Sequence, residues 1–293
     1  MWTIVRNTLF VELGIPNRGG DVPETNAHPE MQRDLRFFPA ERGPKRLSPE
    51  QIEAFNRHGY IFPIEMFDAT SVAANRAYFD ELMNMAAATG KNSYGVNGWH
   101  ATCRGLYDLA VNEKILDYVE DIIGPDIVCT MTHYFSKDPG DTKSVYWHQD
   151  AQFWLLTPSK VVTVWLAIDD VDEENGAMNL FAGSHRVGVI PFEWVTEEES
   201  GVLNQHIHDP WQYGNPVSVD LKAGEFSMHT DMVIHGSMPN PSNRRRCGLT
   251  LRYMPPDVRT KEPNHGRAII CRGSDPSGYW EHIPRPQGET VPG

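Results

Sequence analysis

After Pro125 the chain changes texture, and that change constrains its fold more than any other feature. DIVCTMTHYF, VYWHQDAQFW, KVVTVWLAIDD, GAMNLFAGSH, GNPVSVDLKAG, FSMHTDMVIHGS and RRCGLTLRYMPP are short, β-rich pieces separated by Gly, Pro, Asp and Asn. Pieces this short, each closed by turn formers, predict a mostly antiparallel all-β core. DDVDEENGA is a turn between two of the strands. There is no βαβ rhythm, no P-loop and no Rossmann fingerprint, which excludes a doubly wound sheet.

The first 125 residues read differently. Residues 14–47, rich in Gly, Pro, Asn and Arg, predict an irregular arm. LSPEQIEAFNRHG then spells a helix: Ser48 caps it, Pro49 fits its first turn, Gln51 completes a capping box and Gly59 stops it. YIFPI follows as a short strand. SVAANRAYFDELMNMAAATG places Val72, Phe79, Leu82, Met83 and Ala86 at helical spacing up to Gly90, and a third helix is expected from about 106 to 122. Residues 191–217 alternate little and read as an excursion over a pocket mouth, as a lid or as a plain insertion. After about residue 256 the chain is polar and proline-rich, and PRPQGETVPG is expected to be poorly ordered. With no internal repeat, 1–293 reads as a single domain.

A formal net charge of −13 excludes a nucleic-acid binder, which needs concentrated Lys and Arg. No apolar run approaches a membrane span, and the first residues do not read as a signal peptide. Cys103, Cys129, Cys247 and Cys271 form no C-x-x-C pair and read as reduced thiols of a cytoplasmic protein.

Chemistry concentrates in VYWHQDAQFW. On a strand His148 and Asp150 point to one face, so an imidazole nitrogen and a carboxylate oxygen can meet at one point. A second histidine from another strand would complete two histidines and a carboxylate, a set that leaves coordination positions open on a first-row metal. FSMHTDMVIHGS offers His229, Asp231 and His235. His235, beside Gly236, Ser237 and a tight turn, is the candidate open to a pocket, while His229 and Asp231 read as a solvated or hydrogen-bonded pair. Among Arg244, Arg245 and Arg246, alternation puts Arg244 and Arg246 on one face and leaves them tied.

WHQD, the onward VTVWLAIDDVDEENGAMNLFAGSH, and HGSMPNPSNRRRCGLTLRY resemble the phytanoyl-CoA dioxygenase family of Fe(II)/2-oxoglutarate oxygenases. The resemblance runs from about Leu47 to Pro256. It implies a double-stranded β-helix (jelly-roll, cupin-like) core with flanking helices, and His148, Asp150 and His235 as iron ligands. It also implies that Arg246, eleven residues after His235, clamps the far carboxylate of 2-oxoglutarate, which suits a planar guanidinium. Ser237 resembles a hydroxyl donor to the co-substrate and Trp165 an indole lining its pocket; Thr163, on Trp165's strand face, is expected beside the co-substrate with it. FAGSH, ending at His185, resembles a structural turn of the family. His133, Tyr146, Phe153 and Trp154 are pocket or core candidates, and Arg252 is a candidate partner for an anionic substrate.

The implied activity is hydroxylation of a small organic metabolite with O2 and 2-oxoglutarate, releasing succinate and CO2. Related halogenases carry a small residue where Asp150 stands, so the aspartate favours hydroxylation; desaturation or rearrangement are alternative endings. The competing readings are a non-catalytic cupin-like binding protein and a Zn-dependent hydrolase, which would leave Arg246 unexplained. The expected assembly is a monomer or homodimer.

Overall fold

In a computed structural model, the described residues are 20–24, 33–40, 45–91, 96–195, 201–261 and 266–292. The capping box forms as read. Ser48 accepts from the Gln51 amide, the Gln51 side chain accepts from the Ser48 amide, and helix α1 (Pro49–His58) ends at Gly59. Gly59 has φ 86°, and a Cβ there would meet the His185 ring at 2.6 Å, so both conformation and space call for glycine.

Strand β1 (Gly20–Glu24) comes from the segment expected to be an irregular arm and pairs antiparallel with a strand at 192–194. Strand β2 (Tyr60–Glu65) follows α1, and helix α2 (Ala69–Ala88) buries Phe79, Leu82 and Ala86. The single helix expected at 106–122 is two: α3 (Arg104–Ala110) and α4 (Glu113–Ile123). The break falls where the Asn112 side chain accepts from the Lys114 amide, a new N-cap that competes with continuing the first helix.

The later strands are β3 (Ile127–Lys137), β4 (Val145–His148), β5 (Leu156–Thr157), β6 (Val162–Ala167) and β7 (Met178–Phe181). A one-turn helix, α5 (Asp150–Phe153), lies between β4 and β5. Then come β8 (Phe192–Trp194), β9 (Gln205–His206), β10 (Pro216–Ser218), β11 (Glu225–Thr230), β12 (His235–Ser237) and β13 (Arg246–Met254). The chain finishes with β14 (Arg259–Thr260), β15 (Arg267–Arg272) and β16 (Glu281–His282). A seven-stranded sheet runs β16-β15-β3-β13-β6-β11-β2, and a four-stranded sheet runs β10-β7-β12-β4. This is the jelly-roll core, mainly antiparallel, with helices on one flank.

Alternation on β13 explains why all nine of its residues are buried. Cys247, Leu249, Leu251 and Tyr253 join Val164 and Leu166 of β6 in one apolar cluster with Phe79, Leu82, Leu106, Ile115, Leu116 and Val119 of the helices. Arg246, Thr250 and Arg252 face the other way and line a pocket, so one strand serves core and site by its period of two.

The segment after 256 departs from expectation. Strand β15 joins the large sheet beside β3. Glu289 accepts from the Tyr78 hydroxyl at 2.7 Å and the Gly105 amide at 3.1 Å, tying the last residues to the helices. All four cysteines are free. No described helix is long and apolar enough to cross a membrane.

Candidate metal centre

His148 ends β4 and His235 opens β12, and the two face each other as register partners in the four-stranded sheet. Asp150 arrives differently from the sequence reading. The strand stops at His148, the chain bends at Gln149, and Asp150 opens α5, so a strand-to-helix turn and not strand alternation brings the carboxylate to the histidines. Gln149 holds that turn: its amide donates to the carbonyls of Met232 (2.7 Å) and Gly188 (2.9 Å), and its oxygen accepts from the Ile190 amide at 2.9 Å. Arg33 donates to the carbonyls of Ala151 and Trp154 at the end of α5. FSMHTDMVIHGS is likewise two strands in two sheets, which separates His235 from the strand bearing His229.

His148 Nε2 lies 3.5 Å from Asp150 Oδ1, and His235 Nε2 lies 3.9 Å from Asp150 Oδ2. One nitrogen or oxygen of each residue falls within 4.8 Å of the others, close enough to share a metal ion, and all three residues are buried. Each imidazole is oriented from behind. His148 Nδ1 meets the Tyr146 carbonyl at 2.6 Å and His235 Nδ1 meets the Val233 carbonyl at 3.1 Å. A carbonyl only accepts, so each Nδ1 carries the proton and each Nε2 presents its lone pair to the shared point.

Burial, and then the neighbouring His148, push His235 well below the ordinary imidazole range, which leaves the ring neutral. Burial works against ionised Asp150, yet the carboxyl is held below the usual carboxylate range by His235, His148 and Arg252. With neither Nε2 carrying a proton, the histidines cannot hold Asp150 ionised by charge or by donation, so we attribute the direction to the Arg252 charge. Two neutral imidazoles and one carboxylate are the protonation states a divalent first-row ion requires, and the donor set fits one.

A cleft opens over this cluster between the two sheets. Arg246 lies in its wall, 2% exposed, donating to the Gly176 carbonyl (3.1 Å), the Phe135 carbonyl (3.2 Å) and the Ser237 hydroxyl (3.3 Å). Arg244 turns outward to Asp172 and Glu174, and Arg245 binds Asp169 and Asp80. The tie left by alternation dissolves because Arg244 precedes the strand, in the turn. The Trp165 ring sits 5.8 Å from the Arg246 guanidinium, over a position that only Gly248 can occupy. Thr163 lines the same cleft, two residues along β6 from Trp165.

The structure also corrects the reading of His229. It is buried in the cleft wall, with its ring centroid 4.9 Å from that of His235, whereas Asp231 is turned away and accepts from the Ser159 hydroxyl at 2.7 Å. Alternation from Ser227 along β11 carried that signal. Lys137 went unremarked and has no local signal: its ammonium is buried beside Arg246 and donates to the carbonyls of Lys143 (2.8 Å), Ser237 (3.3 Å) and Met238. Met131, Met178, Val202 and Leu203 add apolar wall, and His133 also faces the cleft. His185 Nε2 donates to the Asn56 carbonyl at 3.1 Å, away from the cluster.

Comparison with known proteins agrees with this geometry. The model of the phytanoyl-CoA dioxygenase (PhyH) family matches residues 44–248. The peroxisomal phytanoyl-CoA dioxygenase of Rattus norvegicus is 27% identical over 257 residues, 76% of this chain and 75% of that protein. A probable alpha-ketoglutarate-dependent hypophosphite dioxygenase of Stutzerimonas stutzeri is 30% identical over 164 residues, 54% of this chain and 56% of that protein. Among solved structures, the non-heme monooxygenase ThoJ superposes with a TM-score of 0.69 at 25% identity, covering 81% of this chain and 88% of its own.

Proposed function

This chain belongs to the phytanoyl-CoA dioxygenase family, and from that premise we propose that it is an Fe(II)- and 2-oxoglutarate-dependent hydroxylase of a small organic metabolite. The observation that carries the reading is the convergence of His148 Nε2, Asp150 and His235 Nε2 in one cleft with the buried Arg246. When bound, iron and 2-oxoglutarate supply the oxidising chemistry, in which O2 is consumed and succinate and CO2 are released.

The residues of this chain provide the setting. His148, Asp150 and His235 would hold the ion through three of its positions, and the chain offers no further ligand among the described residues of the cluster. Arg246 receives the far carboxylate of 2-oxoglutarate, with Ser237 donating a hydroxyl beside it and Trp165 walling one side. The fixed Nδ1 protons of both histidines keep the rings from rotating as ligands exchange. Met131, Phe135, Phe153 and Met178 exclude water from the space where the target C–H is held. Asp150 occupies the position a transferable halide would need, which supports hydroxylation over halogenation. A Zn-dependent hydrolase would give the guanidinium of Arg246 no task.

The test is a screen of anaerobically loaded Fe(II) protein with 2-oxoglutarate, O2 and a mixed metabolite panel. Substrate-dependent succinate release with a product heavier by one oxygen, labelled from isotopic O2, is expected. Chlorinated product in the presence of chloride overturns the hydroxylase reading, and product lighter by two hydrogens replaces it with desaturation.

A further inference from the structure

Four buried polar atoms in the cleft wall have no hydrogen-bond partner: Arg252 Nε, Thr163 Oγ1, His229 Nδ1 and Asn97 Oδ1. The first three are not scattered. Arg252 on β13 is the register partner of Thr163 on β6, and Thr163 is the register partner of His229 on β11. The three side chains therefore form one row across adjacent strands, facing the cleft. Native proteins leave few buried polar atoms unsatisfied, and three in one row of a cavity wall point to a ligand.

The charge makes the point sharper. Arg252 is 7% exposed, and among the described residues its side chain has no ion pair and no hydrogen bond; it stacks on Trp154 at 4.6 Å. An arginine stays charged even when buried, and a buried charge without a counter-ion is costly. Asp150 is the one carboxylate among the residues lining the cleft. On the reading proposed above, and counting the groups in the cleft itself, since Lys137 lies behind Arg246 on three backbone carbonyls, the divalent ion, Asp150, Arg246 and doubly charged 2-oxoglutarate sum to zero. The positive charge of Arg252 is left over, and a single negative charge would balance it.

We propose that Arg252, Thr163 and His229 are the seat for a monoanionic oxyanion, of the carboxylate type, on the primary substrate. This rests on the oxygenase reading and names its substrate class. Arg246 and Arg252 are six residues apart on one strand, a Cα separation of about 20 Å. The two carboxyl carbons of 2-oxoglutarate are only about 5 Å apart. A co-substrate held by Arg246 thus ends at the metal ligands, and the row beyond is available to a second molecule. Guanidinium and hydroxyl would donate to the anion while Trp154 fixes the plane of the guanidinium. Thr163, expected from the family resemblance to serve the co-substrate, takes this role instead.

The test starts from protein loaded with Mn(II) and 2-oxoglutarate, whose binding separately checks the underlying reading. Crystals soaked in molar bromide should show an anomalous peak against Arg252 and Thr163 that is missing in Arg252→Met; no peak in the wild type overturns the proposal. In solution, a panel of small carboxylates, each paired with its neutral amide, is read by stimulated succinate release. Stimulation by acids and not by their amides is expected. The KM of those acids should rise on the order of 100-fold in Arg252→Gln and on the order of tenfold in the isosteric Thr163→Val, with partial recovery in Arg252→Lys. Equal stimulation by amides overturns the proposal. So does Arg252→Gln weakening 2-oxoglutarate tenfold without any substrate, since the row would then serve the co-substrate. Bromide at Arg252 in protein that binds neither Mn(II) nor 2-oxoglutarate would keep the anion seat and defeat the oxygenase reading.

Discussion

Gly248→Ala should damage the cleft through Trp165, whose ring supplies the three atoms nearest to a Cβ at that position. A Cβ at 248 would lie 2.0 Å from Trp165 Cζ2, 2.3 Å from Cη2 and 2.4 Å from Cε2. Carbon atoms in contact prefer about 3.5–4.0 Å, so the indole must withdraw by roughly 1.5 Å or more. Gly248 is absent from the positive-φ glycines, so alanine meets no backbone strain there. It gains about 0.4–1 kcal/mol by restricting the unfolded chain, against about 1–3 kcal/mol for overpacking. The net expectation is a loss of about 1–2 kcal/mol. Two of the three clashing atoms belong only to the six-membered ring of the indole, so Trp165→Phe should relieve the clash. Denaturant midpoints of the wild type, both single variants and the double variant, with slopes checked for constancy, form the cycle. We expect the double variant to be more stable than the sum of the singles by about 1 kcal/mol or more. Additivity within about 0.5 kcal/mol would refute the steric argument. Because the displaced ring borders Arg246, the alanine variant should also bind 2-oxoglutarate more weakly than its metal affinity predicts.

Three further outcomes follow. Arg246→Ala should cost on the order of 2–5 kcal/mol in 2-oxoglutarate binding by calorimetry and leave metal binding intact, whereas Arg244→Ala should change neither; the reverse pattern would move the clamp. Adding Mn(II) at about 100 times its dissociation constant should raise unfolding stability by about 2.7 kcal/mol over chelated protein. His148→Ala should abolish that gain, and a gain of the same size in the variant would place the metal elsewhere. Burial raises the Asp231 carboxyl to about 7 from 3.8, against the opposing hydrogen bond from Ser159, with the Asp150 charge adding to the rise. The folded state then holds a proton the unfolded chain releases, so this contribution is full below about pH 4 and lost as pH rises through about 7. Asp231→Asn should flatten that decline by on the order of a few kcal/mol in chemical denaturation series, and an unchanged pH slope would contradict it.

The parts of the fold legible in the sequence were those set by local rules. The capping box of α1 is written in Ser48, Pro49, Gln51 and Gly59, and the strand-rich second half in its β-branched and aromatic runs. The candidate ligand set His148, Asp150 and His235 was legible only because it came with family spacing, and the structure brings those three together. The route by which Asp150 reaches the histidines was not, because QDAQF has no strong helix signal and its turn is held by the distant Arg33, Gly188 and Met232. His229 was misjudged for a related reason: FSMHTDMVIHGS reads as one strand, and its break between β11 and β12 depends on which sheet each half joins. Asn112 could have signalled the split between α3 and α4, since a capping residue stood inside an otherwise helical pattern. The closing segment misled because polar, proline-rich composition says nothing of Glu289 reaching Tyr78 and Gly105.

The central claim is that one ion is held by His148, Asp150 and His235 with 2-oxoglutarate reaching from it to Arg246. A crystal structure of protein loaded anaerobically with Mn(II) and 2-oxoglutarate tests it most directly. The account predicts one ion bound by both Nε2 atoms and an Asp150 oxygen at roughly 2.0–2.3 Å, with the far carboxylate of 2-oxoglutarate on the Arg246 guanidinium. An ion bound by His229 or Asp231, or a co-substrate carboxylate on Arg244 or Arg252 instead, would contradict it.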